Sequence, residues 1–132
     1  MFIIAYSSNV NFIDIILENK KRRPDGRQNG PASQTGMVHR IVTRFDPERI
    51  ILFGSQATGT AGKDSDVDLL IVMPFEGLRL QKQLELRILL HDVPVPKDVV
   101  VTALDEFAWR KDVVGTIEWP AAREGNILYA RS

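Results

Sequence analysis

The chain has no cysteine among its 132 residues, which excludes disulfides, thiolate nucleophiles and cysteine-ligated zinc together. It has no surplus of either charge. Lys+Arg and Asp+Glu each number 17, so net charge gives no argument for a nucleic-acid or membrane partner. No apolar run approaches the roughly 18 residues that suggest a membrane span. The amino terminus also lacks the basic start and small-residue cleavage site of a signal peptide, so a cytoplasmic protein is expected. Histidine is scarce: His39 and His91 have no second ligand at metal-binding spacing and read as structural or surface residues. What remains is ordinary for one soluble domain, 44% hydrophobic and 26% charged.

Residues 1–35 read as an extension and linker, expected to be poorly ordered. The first 18 mix apolar and polar positions as a strand or a helix would. Lys20 to Arg23 is then a basic run, followed by the breakers Pro24-Asp25-Gly26 and Asn29-Gly30-Pro31. From Thr35 the pattern becomes regular, and residues 36–132 form the expected domain. Met37, Val38, Ile41, Val42 and Phe45 recur at helical spacing and stop before Pro47. Arg49–Phe53 and Val67–Met73 read as strands, and Gly54–Thr58 as a turn or short helix. Gly59–Ser65 is a connector. A leucine-rich helix is expected from about Gly77 to His91, and Asp98–Thr102 as a third strand. Ala103–Ser132 reads as helical, with breaks at Gly115, Pro120 and Gly125. The order is that of an α/β domain with one small mixed sheet packed by helices.

The chemistry concentrates in Ile50–Val72. Asp66 and Asp68 open an apolar strand two residues apart, so they point to one face of the sheet. Like charges so placed repel unless a cation lies between them. Gly54-Ser55, at the end of the preceding strand, offers close backbone approach, a hydroxyl and N–H donors for an anion. If that turn serves the same site as the two aspartates, the first two strands are antiparallel. A returning helix then makes the third strand parallel to the second, bringing Asp98 beside them. Three carboxylates and a triphosphate require divalent cations, and oxygen ligands select magnesium or manganese. Two ions about 4 Å apart would clamp the attacking and leaving oxygens of a phosphoryl displacement. On this reading Asp66 and Asp68 bridge the metals, Asp98 completes the one that activates the acceptor hydroxyl, and Gly54 and Ser55 cradle the phosphates.

Gly54-Ser55 followed by Asp66-Val67-Asp68 and a later strand aspartate resembles the nucleotidyltransferase superfamily of DNA polymerase beta. LFGSQATGTAGKDSDVDLLIV is similar to the minimal nucleotidyltransferase domains of prokaryotes. The likeness covers about residues 36–131, with PVPKDVVVTALDEF and GTIEWPAAREGNILYA resembling later segments of that group. The resemblance implies the polymerase beta-like fold, Mg2+, ATP as donor, transfer of AMP to a hydroxyl and release of pyrophosphate. It also implies a HEPN-domain partner, a ribonuclease toxin whose tyrosine is adenylylated or which is simply bound, this chain being the antitoxin. Gln56 departs from the pattern, standing where many relatives carry a basic residue.

Plainer roles stand beside these. Asp64-Ser65-Asp66 is good turn chemistry, Asp98 suits a strand edge, and Ser55 suits a helix N-cap. Lys63 and Lys97 read as solvated surface charges, Trp109 and Trp119 as core or interface, and Tyr129 as packing. The leucine-rich helix is more apolar than one buried stripe needs, which leaves room for a partner surface. Two alternative functions remain: a binding antitoxin that masks its partner without catalysis, and an antibiotic-modifying transferase. The latter would need an acceptor domain or a second copy, and oligomerisation is left open.

Overall fold

The computed structural model describes residues 31–62 and 66–131. The basic run Lys20–Arg23, the rest of the leading segment, Lys63 and the Asp64-Ser65 turn lie outside the described residues. Helix α1, Pro31–Phe45, starts ahead of the expected Thr35 because Pro31 stands in its first turn, where a missing N–H costs nothing. It ends where Asp46 turns left-handed at φ 49 and donates its N–H to the Val42 carbonyl, just before Pro47. There follow β1 (Arg49–Phe53), a single-turn α2 (Ser55–Thr58), β2 (Val67–Val72) and α3 (Arg79–Leu89). The chain closes with β3 (Lys97–Thr102), α4 (Leu104–Arg110), α5 (Glu118–Glu124) and β4 (Asn126–Ala130).

The four strands form one mixed sheet in the order β3-β2-β1-β4. β1 runs antiparallel to β2 and to β4, while β2 and β3 are parallel. The two directions expected from the chemistry of the site are those observed. Both faces are covered, which is why β2 is apolar almost throughout. Val67, Leu69, Ile71, Val99 and Val101 join Met37 and Ile41 of α1, Leu86 of α3 and Leu90 just past its end in the larger core cluster. The alternate residues Leu70 and Val72 pack on the other face with Phe107 of α4 and Ala121 of α5. Asp68 and Asp98 fall on this second face, beyond the part that α4 and α5 cover.

The carboxyl-terminal segment departs from expectation. It is not helical to its end: Asn126–Ala130 is a strand that completes the sheet beside β1. Five residues are too few for periodicity to tell a strand from a helix. Gly125 ends α5 because the chain passes too close for a side chain; a Cβ there would lie 2.3 Å from the Ala121 carbonyl. Pro120 does not break a helix but lies in the first turn of α5, where proline is tolerated. Tyr129 is buried as packing requires, whereas Trp109 is exposed rather than core.

Candidate active site

Gly54 links the end of β1 to α2 in a conformation, φ 72 and ψ −157, that is essentially restricted to glycine. Its carbonyl accepts the N–H groups of Ala57 and Thr58 at 3.0 and 3.2 Å, closing the single turn of α2. Ser55 begins that turn and is half-buried. Phe53 pairs with Asp68 across β1 and β2, so the glycine lies against that carboxylate. A Cβ at position 54 would fall 2.3 Å from Asp68 Oδ2. A side chain at position 54 would therefore collide with the Asp68 carboxylate where glycine leaves room.

Asp68 and Asp98 are direct register partners in the parallel pair, on strands that lie about 4.8 Å apart. Burial, then the Asp98 and Asp66 carboxylates, push the Asp68 carboxyl above its usual range. No basic side chain among the described residues forms an ion pair with Asp68. Asp66 is exposed just ahead of β2, near enough to act on Asp68 through space.

Two basic residues take roles that the strand pattern alone did not suggest. Lys97 neither faces solvent freely nor points to the site. Its ammonium donates to the Val93 and Val95 carbonyls at 2.8 and 3.0 Å, and burial lowers its pKa. Arg87 of α3, which sequence reading passed over, donates to Asp98 Oδ1 at 2.8 Å. Its only sequence signal is a cation on a helix that returns beside β3.

Among the described residues, no three carboxylate or imidazole groups stand together as a complete metal-ligand set. The structure brings Asp68 and Asp98 side by side and leaves Asp66 at the outer end. Magnesium, however, is commonly held by one or two carboxylates together with substrate phosphates and water. The hard oxygen donors of Asp68 and Asp98 and the uncompensated charge at Asp68 fit an ion of that kind, one that shares its shell with a triphosphate.

The sequence matches the nucleotidyltransferase domain over residues 37–120. No curated protein matches it significantly. Among solved structures, a toxin-antitoxin with AMP-PNP is 19% identical, with a TM-score of 0.51 over 74% of this chain and 73% of that chain. A mutant of the toxin-antitoxin MntA-HpeT is 18% identical, with a TM-score of 0.50 over 75% and 74% of the two chains. At such identity these two show a shared fold. The sequence match carries more, since it spans more than half of the chain. The chain is a transferase and belongs to the nucleotidyltransferase domain family.

Proposed function

We propose that the protein transfers AMP from ATP, with Mg2+, to a tyrosine hydroxyl of a HEPN ribonuclease toxin, and that this makes it an antitoxin of the cytoplasm. The observation that carries the reading is the Asp68–Asp98 pair, uncompensated at Asp68 and set under the glycine turn. The fold shared with two toxin-antitoxin structures supports the biological setting. On this reading residues 36–132 carry the transferase and residues 1–35 are an extension.

The residues divide the work. Gly54 admits the phosphates where a side chain would block them, and Ser55 offers its hydroxyl. Asp66, Asp68 and Asp98 would hold the cation, which supplies charge neutralisation along the triphosphate and acidifies the acceptor hydroxyl. The acceptor oxygen bonds to the α-phosphorus, and the bond from that phosphorus to the bridging oxygen breaks, releasing pyrophosphate. Asp98 takes the acceptor proton. Radiolabelled ATP should label the HEPN protein encoded beside this one, and Asp66→Asn with Asp68→Asn should abolish labelling. Labelling that persists in the folded double variant rejects the mechanism.

A second reading, masking by contact, has its own observation. Leu80, Leu84 and Ile88 form an exposed apolar ridge on α3, between 56% and 76% exposed, beside a groove of about 560 Å³. A ridge of this kind suits a protein partner. If the aspartate variant still binds the toxin and still protects cells, masking suffices and transfer is dispensable.

A further inference from the structure

Asp98 already has a cation. Arg87 belongs to α3, which packs with the larger core on the opposite face of the sheet from Asp68 and Asp98. It reaches the carboxylate around the free edge of β3. One turn earlier, Gln83 Oε1 accepts the Val101 N–H at 3.0 Å on the same edge. Residues spaced four apart share a helix flank, so Gln83 and Arg87 together hold α3 against β3. The two anchors differ in firmness. Gln83 satisfies a backbone donor of the sheet, whereas the Arg87–Asp98 pair is about half exposed on both sides, 54% and 49%. An exposed ion pair is weakly held, and a guanidinium there can swing into solvent at small cost.

The pair also conflicts with metal binding. A guanidinium 2.8 Å from Asp98 Oδ1 and a dication on the same carboxylate are positive charges held within a few ångströms of each other, and they repel. Among the described residues, Arg87 places its positive charge on Asp98 and not on Asp66 or Asp68.

We propose that Arg87 is a displaceable counter-cation: it occupies Asp98 in the metal-free protein, yields it when the metal arrives, and so weakens binding of the bare ion. The proposal rests on the reading of Asp98 as a metal ligand. It gives the protein a reason to take its metal together with the nucleotide, whose phosphates add the ligands that outweigh the loss of the ion pair.

The test is Mn2+ binding to the full-length protein without nucleotide, read from the electron paramagnetic resonance signal of free Mn2+. Arg87→Gln should bind about three- to tenfold tighter than wild type, the size expected for removing a charge-assisted hydrogen bond that competes for the ligand. Arg87→Lys should stay near wild type and Asp98→Asn should bind more weakly. Unchanged affinity in Arg87→Gln alongside weaker binding in Asp98→Asn overturns the counter-cation and leaves Asp98 as a ligand. Unchanged affinity in both variants overturns the metal reading of Asp98, and the counter-cation with it. Absence of saturable binding by Arg87→Gln overturns the proposal as well. Should Arg87→Gln fail to fold, Arg87→Met keeps the aliphatic stem and carries the same expectation.

Discussion

Asp68 and Asp98 face each other, residue to residue, across the parallel pair of β2 and β3. Evolution of a stable sheet alone would place a polar neutral or apolar pair there, because the Asp98 carboxylate raises the cost of ionising Asp68. The arrangement is intelligible as a site kept ready for positive charge, and it has measurable consequences.

Asp68→Asn should stabilise the protein while ending nucleotidyl transfer. The folded-state carboxyl lies above its ordinary 3.8, so between that value and the raised one the folded state binds more protons than the unfolded chain. Stability from this group therefore rises as pH falls through that window, and the ionised side chain is a cost above it. The variant should melt about 2–5 °C higher near neutral pH. Thermal unfolding across a pH series should show its advantage shrinking as pH falls towards the ordinary carboxylate value. A pH-independent difference would contradict this origin.

Gly54→Ala should damage both folding and activity. The residue would enter a region of backbone conformation almost closed to side chains, and its Cβ would sit 2.3 Å from Asp68 Oδ2. The backbone contribution alone is about 1–3 kcal/mol, measurable by urea denaturation. Full stability in the variant would mean that the turn relaxes freely.

Glu118 gives a test remote from Asp68 and Asp98. It is buried and accepts from Thr102 Oγ1 at 2.7 Å and Arg110 Nε at 3.1 Å, tying α5 to the end of β3 and to α4. Glu118→Ala would strand both donors and should cost about 3 kcal/mol. Turnover of the fraction that remains folded should be close to wild type. A selective loss of turnover without loss of stability would place Glu118 in the reaction instead.

Leu84→Glu on the α3 ridge should leave stability within about 0.5 kcal/mol, as exposed substitutions generally do. Affinity for the proposed HEPN partner should fall by about tenfold or more if the ridge is a contact centre. Isothermal titration of the purified pair separates the two effects, and undiminished affinity would move the interface elsewhere.

Much of this architecture was legible because breakers bound each run. Pro47 and Pro74 delimit β1 and β2 on one side, and the Gly54 turn and Asp66 on the other. The demand that Ser55 and Asp68 share a site then supplied strand directions that local patterning could not. β4 was not legible: Ile127, Leu128 and Tyr129 form too short a run, and their strand character comes from the vacant edge of β1. Arg87 was hidden for a different reason. On the helix it is one more exposed cation, and only the passage of α3 along the edge of β3 brings it to Asp98. Lys97 shows the reverse case, a neighbour of Asp98 in sequence that alternation turns away to cap the loop carbonyls.

If Asp98 takes the proposed cation and the α3 ridge the proposed partner, the passage of α3 along that edge makes a single helix answerable to both. Ile88, on the exposed ridge, is the residue next to Arg87. A partner whose grip on the ridge shifts the helix by a fraction of an ångström alters how firmly Arg87 holds Asp98. Thermodynamic reciprocity then requires that cation loading change the grip of the partner by the same factor. A toxin seated on α3 would, in that case, sense whether its modifier is charged for reaction before any phosphorus bond has changed.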